Sequence, residues 1–270
     1  MIGCGSIGRR HIANLLTLGC DVGVHDVSLG AVHRVMREHS VSVIADLFGG
    51  LASYDAVVIA PPAEAHLLWV EQAIRAGKPF FVEKPLGTLE QLPEWRELAS
   101  RRDLPVNQVG YMLRFHRQAR ALRDLTPGAT GGVFGIRCDK TTWPGQRYAS
   151  TLLECSHEID LALWCGAPPK VRLVTGWDRE LEVWLGDQWC VLITDTDQQY
   201  RRSWAISSPY ASGRCRFNSP EALGTLMYLD ELSHFLQSVR TRTPTACSLA
   251  DGLATLEVCG QIQSRMKQVA

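Results

Sequence analysis

Three glycines near the start of the chain have the spacing of a dinucleotide-binding turn. Gly3, Gly5 and Gly8 form a G-x-G-x-x-G motif. In this motif the first glycine makes the tight turn, the second lets the backbone approach a pyrophosphate, and the third lets the next helix pack closely. The N-terminus of that helix, at Ser6 and Ile7, favours an anion through its backbone N–H groups and its dipole. Glycine-rich turns are common, so the motif alone leaves the function open.

A carboxylate follows at the distance where an adenosine ribose would bind. Asp26 ends the short apolar run 22–26, and a helical pattern over 9–18 separates it from the glycine turn. Turn, helix, strand and acid come in the order of a dinucleotide-binding unit, in which the acid binds the ribose hydroxyls. Because a carboxylate repels a 2′-phosphate, the sequence favours NAD(H) as the cofactor, with NADP(H) as the alternative. A solvated carboxylate at a strand end is the other interpretation of Asp26.

The strand that should precede the glycine turn is short. Only Met1 and Ile2 come before Gly3, whereas a strand typically has about five residues. We expect the natural start of the protein to lie upstream of Met1, and a strand of two residues is the alternative.

Two later strand ends also carry candidate groups. Residues 54–60 and 79–82 are continuous apolar runs, typical of parallel strands that are buried on both faces. Ligands bind outside the carboxyl ends of such strands, so Lys84 is expected where a nicotinamide would lie. The candidate cofactor-binding residues at these two ends are Ala60, Pro61, Pro62 and His66 after the first run, and Glu83 and Lys84 after the second.

The pattern of elements changes after Gly110. Before it, strands and helices alternate, which predicts a parallel sheet with right-handed crossovers. After it come helices at 111–125 and 152–165 and then four successive strands between 171 and 206, with a hairpin turn at 186–187. We therefore predict an α/β protein with two domains. Residues 1–109 form a Rossmann domain with a doubly wound parallel sheet. Residues 110–270 form an α+β domain with an open, mostly antiparallel sheet, and its last helix packs back toward the first domain.

Composition argues against several classes of function. Lys plus Arg and Asp plus Glu both number 28, so no electrostatic footprint for nucleic acid is present. No apolar run approaches the roughly 20 residues of a membrane span, and no signal-peptide pattern opens the chain. The nine cysteines form no C-x-x-C pair, which favours buried free thiols in a reducing compartment over disulfides or zinc. We expect a cytoplasmic protein with a small-molecule substrate and no metal, membrane or nucleic-acid partner.

Tryptophans are concentrated in the second half of the chain. Six of the eight lie between Trp143 and Trp204, in the region of the predicted antiparallel sheet. Because a large exposed apolar face usually marks an interaction surface, we expect a homodimer or homotetramer that forms through this sheet.

The ordered motifs resemble the Gfo/Idh/MocA oxidoreductase family over nearly the whole chain. The combination of a Glu-Lys-Pro tripeptide after a strand with a downstream His-x-Ile-Asp helix makes the resemblance specific. The motifs are the glycine turn, Asp26, Ala60-Pro61-Pro62 with His66, Glu83-Lys84-Pro85, Gly110-Tyr111-x-Leu113-Arg114-Phe115-His116 and Ser156-His157-Glu158-Ile159-Asp160.

This resemblance implies hydride transfer between NAD(P) and a hydroxyl or carbonyl carbon, often of a sugar or cyclitol. The lysine that matches Lys84 contacts nicotinamide and substrate, and the histidine that matches His157 commonly serves as general acid/base, which suits a side chain that titrates near neutrality. Family members usually carry an aspartate just upstream of that histidine, where this chain has Glu154. A capping box with Thr151 explains Glu154 equally well.

Other candidates are assigned from position. Arg114 is expected to support the cofactor or to bind a substrate anion, and a structural ion pair is the alternative. The stretch 140–154 is shorter than in many similar proteins, which implies a more open pocket or an unusual substrate. An imine or enone reductase and a catalytically silent dinucleotide-binding regulator remain the alternative functions. Predicted substrate-binding residues are Lys84, Tyr111, Trp143, Arg147, Tyr148 and His157, and predicted structural or surface histidines are His11, His25, His116 and His234.

Overall fold

The computed structural model describes residues 1–44, 50–138, 156–177, 180–195, 200–219 and 224–269. The chain divides into two compact units. The first comprises Met1–Gly110 and Tyr228–Leu253, and the second comprises Tyr111–Met227 and Ala254–Ala270.

Helices and strands alternate along the first part of the chain, and strands dominate the second. The helices are α1 (Ser6–Thr17), α2 (Leu29–Glu38), α3 (His66–Arg75), α4 (Leu92–Ala99), α5 (Arg117–Leu125), α6 (Ser156–Trp164), α7 (Leu226–Thr241) and α8 (Leu249–Val269). The strands are β1 (Gly23–Val24), β2 (Ser42–Val43), β3 (Val57–Ile59), β4 (Phe80–Glu83), β5 (Asn107–Gly110), β6 (Gly131–Cys138), β7 (Val171–Trp177), β8 (Glu180–Leu185), β9 (Trp189–Asp195), β10 (Arg201–Ser207) and β11 (Ser212–Phe217).

A parallel sheet forms the centre of the first unit. β1 pairs with β2, and β4 pairs with both β3 and β5, always in parallel. Ile2 makes isolated parallel bridges to His25 and Ile59, so the start of the chain lies between β1 and β3. The resulting order, β2-β1-Ile2-β3-β4-β5, is that of a doubly wound dinucleotide-binding sheet, and it confirms the predicted Rossmann fold.

The apolar stripe of α1 anchors it to this sheet. Its buried residues are Gly8, His11, Ile12 and Leu15, which have the i, i+3, i+4, i+7 spacing of one helix face. Ile12 and Leu15 belong to a core cluster with residues of β1, α2 and α7, among them Phe235. This packing fixes the helix that follows the glycine turn against the sheet.

An open six-stranded sheet forms the centre of the second unit. Its order is β11-β10-β6-β9-β8-β7, and every pair is antiparallel except β6 with β9. Along β10 buried side chains alternate with half-buried or exposed ones, and Trp204 and Ile206 are buried. α6 packs against β6 and β9. The mostly antiparallel sheet was predicted, as was the turn between β8 and β9, where Gly186 has a φ of 61°.

Some local predictions need correction. The helix predicted over 111–125 is a 3-10 turn at Met112–Phe115 followed by α5, because extended His116 lies between them and caps α5 by accepting a hydrogen bond from the N–H of Gln118. Helix α2 and strands β2 and β11 were not predicted. The described part of α6 starts at Ser156, so the capping box of Thr151 and Glu154 lies outside the described residues. Among the described residues, no helix combines the length and apolar character that crossing a membrane requires.

Candidate cofactor and catalytic site

Each position of the turn is occupied by glycine for a different physical reason. Gly3 has a φ of 91°, and a Cβ there would lie 2.6 Å from the carbonyl carbon of Ala60. A Cβ on Gly8 would clash with the carbonyl oxygen of Gly3. A Cβ on Gly5, by contrast, would meet nothing within 4 Å. Gly3 and Gly8 are therefore needed for the protein's own packing, whereas Gly5 leaves open space beside the backbone.

The helix that follows suits an anion. α1 is capped at Gly5 without a side-chain hydrogen bond, and its first turn contains no acidic residue. Ser6 is exposed and Ile7 is half-buried. A helix N-terminus with these features attracts a negative charge through its N–H groups and dipole, so the turn fits the pyrophosphate of a dinucleotide.

Asp26 lies directly beside this turn. Its Oδ2 accepts a hydrogen bond from the N–H of Cys4 at 2.6 Å, and its Oδ1 accepts one from the N–H of Ser28 at 2.7 Å. The side chain is half-buried, and each carboxylate oxygen keeps a second lone pair. The carboxylate can therefore accept further hydrogen bonds from the hydroxyls of a ribose.

His66 ties together the loops that leave β3 and β4. Its Nε2 lies 3.0 Å from the carbonyl oxygen of Pro61, and its Nδ1 lies 3.0 Å from that of Pro85 and 3.2 Å from that of Leu86. The side chain is fully buried. Burial lowers the pKa of His66, against the raising effect of these carbonyl contacts. His66 thus holds the strand-end loops that contain Ala60, Pro61, Pro62 and Lys84.

Lys84 directly follows the last residue of β4. Glu83 is the last residue of β4, and its Oε2 accepts a hydrogen bond from the N–H of Lys84 at 3.0 Å. The Oε1 of Glu83 lies 2.6 Å from Nε2 of His11 on α1. Glu83 is buried and Lys84 is half-buried. The structure thus gives Glu83 an internal role, and it places Lys84 at the carboxyl edge of the parallel sheet, as expected.

In the second unit, α6 presents His157 and Asp160 from one face. The rings of His157 and Tyr111 pack edge to face, with centroids 5.6 Å apart. Asp160 binds the guanidinium of Arg114 through two nitrogens, at 2.7 Å from Nη2 and 2.9 Å from Nε. Thr255 donates a further hydrogen bond to Asp160 at 3.4 Å. Arg114 therefore forms the structural ion pair that was the alternative to its predicted cofactor role.

A second buried ion pair involves the same helix. Glu158 of α6 lies 2.6 Å from Nε of Arg202 on β10, and both side chains are almost completely buried. Buried charges are stable only when paired, so this contact fixes α6 on the sheet of the second unit.

The sequence of the first part of the chain matches a known family. Residues 1–111 match the profile of an oxidoreductase family with an NAD-binding Rossmann fold. This first part of the chain belongs to the Gfo/Idh/MocA oxidoreductase family. It is 34% identical to inositol 2-dehydrogenase 2 of Saccharopolyspora erythraea over 176 residues, which cover 61% of this chain and 52% of that protein. It is 29% identical to inositol 2-dehydrogenase of Serratia proteamaculans over 182 residues, with the same coverage.

The chain spans about half the length of these curated relatives. Its fold matches that of a solved structure over a larger share of both chains. The structure of scyllo-inositol dehydrogenase from Lactobacillus casei, solved with NAD(H) and scyllo-inositol, superposes with a TM-score of 0.82 at 18% identity, covering 99% of this chain and 96% of that one. At this identity the likeness concerns the fold alone.

The contact of one histidine with this site was not predicted. His11 was predicted to be structural or at the surface, and it is structural, since it is fully buried and contacts Glu83. The signal was its place in the buried spacing of α1, between Gly8 and Leu15. Trp143, Arg147, Tyr148 and Glu154 lie outside the described residues.

The described thiols are mostly inaccessible. Cys4, Cys190, Cys247 and Cys259 are free and buried. Burial raises the pKa of the Cys4 thiol to about 11 and that of Cys259 to about 12. These thiols are therefore protonated near neutral pH and poor nucleophiles.

Proposed function

We propose that the protein is an NAD-dependent oxidoreductase that transfers a hydride between nicotinamide and a hydroxyl or carbonyl carbon of a cyclitol or sugar derivative. The observation that carries the proposal is the position of Lys84. It follows β4 at the carboxyl edge of a sheet whose first turn suits a pyrophosphate and whose strand β1 is followed by Asp26. The names of the curated relatives, which are inositol dehydrogenases, support the substrate class.

The first unit would bind the cofactor. The N–H groups of Ser6, Ile7 and Gly8 would hold the pyrophosphate, and Asp26 would accept hydrogen bonds from the adenosine ribose. Neither lysine nor arginine stands next to Asp26 in sequence, where His25 precedes it and Val27 and Ser28 follow it, and this supports NAD(H) over NADP(H). The bound nicotinamide supplies the hydride acceptor or donor.

Two side chains would manage the substrate oxygen. Lys84 would donate a hydrogen bond to that oxygen and stabilise negative charge on it. His157 would take the hydroxyl proton at an imidazole nitrogen during oxidation and return it during reduction. The edge-to-face contact with Tyr111 orients the His157 ring. The ion pair of Arg114 and Asp160 fixes the helix that carries His157.

The two units would then have separate tasks. The first unit would be the dinucleotide-binding domain, and the second would bind substrate and associate with another copy of the chain. The second unit supplies His157 and Tyr111, and it also has an open sheet face.

The open face of the sheet is suited to a second copy of this chain. Val133, Leu173 and Leu192 are 42%, 40% and 37% exposed on it. Cross-strand pairing places Arg216, Ser203, Gly135, Leu192 and Glu182 in one row across this face. Arginine thus stands on the strand at one edge of the sheet, and glutamate stands toward the other edge, where Thr175 of β7 completes the row. A two-fold axis that lies in the interface parallel to the strands, as in an isologous dimer, would bring opposite charges together around an apolar centre.

The proposal is tested by following NADH absorbance with NAD⁺ and a panel of inositols and sugars. We expect turnover of at least one polyol. We also expect Lys84→Met and His157→Gln to lower kcat by roughly a hundredfold or more, while NADH still binds. No cofactor reduction with any polyol, or wild-type turnover in both variants, would reject the proposal.

A further inference from the structure

A buried histidine–glutamate contact joins the helix of the glycine turn to the strand that ends at Lys84. His11 is 0% and Glu83 is 6% exposed, and His11 Nε2 lies 2.6 Å from Glu83 Oε1. Because an ionised carboxylate can only accept, Nε2 is the donor. Within the described part of the chain, Nδ1 of His11 makes no hydrogen bond, so the imidazole directs its bonding to Glu83 alone.

The surroundings leave this pair little freedom. The His11 ring packs edge-on against Phe81, with centroids 5.2 Å apart, and against Tyr228 at 6.4 Å. Gly110 pairs with Glu83 across the sheet. A Cβ on Gly110 would lie 3.1 Å from the carboxyl carbon of Glu83. The absence of a side chain at Gly110 therefore gives the carboxylate its room beside the sheet.

The second oxygen of Glu83 connects the pair to the lysine. Oε2 accepts a hydrogen bond from the N–H of Lys84 at 3.0 Å. One carboxylate thus accepts a hydrogen bond from His11 on α1 and another from the backbone N–H of Lys84. This contact fixes the peptide plane between Glu83 and Lys84, which sets the direction in which the lysine side chain leaves the sheet.

Stability alone gives a weak reason for such a pair. Replacing a buried polar pair by well-packed apolar side chains is often neutral or stabilising. The apolar neighbours Phe81 and Tyr228 would suit an apolar residue at position 11. A positional requirement explains the pair better, since small displacements of a reacting group cost large factors in rate.

We propose that His11 is a positioning residue for Lys84, acting through the carboxylate of Glu83. This inference rests on the proposed function, because it assumes that Lys84 acts on substrate and cofactor. His11 itself contacts neither; it holds Glu83, and Glu83 holds the backbone of Lys84. Since α1 also begins at the glycine turn, the pair keeps the phosphate-binding turn and the lysine in a constant relation.

The test is a double-mutant cycle between His11 and Lys84. His11→Leu removes the donor, and His11→Gln keeps an N–H donor as the conservative variant. We expect His11→Leu to lower kcat roughly tenfold to a hundredfold, and His11→Gln to restore part of it. In a Lys84→Met background, His11→Leu should lower kcat no further. A purely structural histidine would lower kcat by the same factor in both backgrounds, and this would overturn the inference.

A second readout needs no substrate. Acetic anhydride acetylates exposed lysines, and peptide mass spectrometry measures the acetylation of Lys84 with and without saturating NADH. We expect NADH to protect Lys84 in the wild-type protein and to protect it much less in His11→Leu, although NADH binds both with similar Kd. Equal protection in the two proteins would contradict the positioning role.

Controls separate the possible failures. His234 is half-buried in the same unit and accepts a hydrogen bond from the N–H of Ala246, so His234→Leu should lower Tm without changing kcat. If His11→Leu does not fold, Glu83→Gln replaces it in the cycle, because the two donors bond to different oxygens of Glu83 and an amide has an NH2 group, which cannot accept, in place of one of them. Wild-type turnover in Lys84→Met would reject the role that the proposed function gives to Lys84, and with it this inference. Loss of turnover in Lys84→Met combined with independent effects of His11 would reject only the present inference.

Discussion

The carboxylate of Asp26 accepts a hydrogen bond from the backbone N–H of Cys4 at 2.6 Å. Cys4 lies between the first two glycines of the turn, so this bond joins the end of β1 to the proposed pyrophosphate site. The carboxylate is therefore held in place before any ligand arrives. A preorganised acceptor loses little conformational entropy on binding.

Asp26→Ser should weaken NADH binding and reduce the difference between the affinities for NADH and NADPH. A hydrogen bond to a charged group contributes about 1.5–3 kcal/mol, so we expect the Kd for NADH to rise roughly tenfold to a hundredfold. The Kd for NADPH should rise less or fall, because the repelling charge is gone. Fluorescence titration with both nucleotides measures this, with exposed Asp55→Asn as the control. Unchanged selectivity in Asp26→Ser would contradict a ribose-binding role.

Gly3→Ala and Gly5→Ala should fail in different ways. At Gly3 the positive φ and the Cβ contact with Ala60 predict a lower Tm for the protein alone. At Gly5 a Cβ meets open space, so Tm should stay near wild type while NADH binding is lost. Thermal unfolding and NADH titration give the two readouts. Gly30→Ala in α2 serves as the control, and normal NADH binding by Gly5→Ala would argue against a phosphate at this turn.

The elements that were predicted well are those with strong local sequence signals. The glycine turn, the apolar runs that became β3 and β4, and the hairpin at Gly186 each depend on residues close together in sequence. Patterns of this kind report backbone conformation and burial directly. The Rossmann order of the sheet then follows from right-handed crossovers.

The missed features depend on distant residues. β11 was not predicted, since only Phe217 of its six residues is buried and an edge strand lacks an apolar pattern. The contact of His11 with Glu83 was not predicted, because it required knowing that α1 faces Glu83, 72 positions away in the chain. Likewise, whether Arg114 binds a ligand or Asp160 is decided by the packing of α6, which no local spacing encodes.

Arg114→Met should destabilise the protein more than the combined replacement of both partners. Removing one member of a buried ion pair leaves the other charge unpaired and costs about 3–5 kcal/mol. Arg114→Met/Asp160→Leu leaves neither charge of the pair, so its Tm should exceed that of Arg114→Met and that of Asp160→Leu. Calorimetry measures Tm, and NADH titration of each folded variant should show a nearly unchanged Kd. A large loss of NADH affinity in the double variant would restore the cofactor role for Arg114.

His66 should make stability fall at mildly acid pH. Burial lowers its pKa in the folded protein from the usual 6.5, so below that pH the unfolded chain binds a proton that the folded protein does not. The free energy of unfolding therefore decreases as pH falls through about 6.5 and levels off below the folded pKa. Tm measured from about pH 8 to about pH 5 should drop more for wild type than for His66→Gln. Identical pH dependence in the two proteins would contradict this assignment.

Leu192→Glu should prevent association of the chain with itself. Leu192 lies near the centre of the open face, beside Gly135 on β6 and Glu182 on β8. A second carboxylate beside Glu182 in an apolar contact would be desolvated without a partner, which strongly disfavours the interface. Light scattering after size exclusion should give a multiple of the chain mass for the wild type and a single chain for the variant. Tyr210→Glu changes a 94% exposed residue in the turn between β10 and β11 and should leave association intact. A monomeric wild type, or an unchanged mass for Leu192→Glu, would show that this face does not bind a second copy.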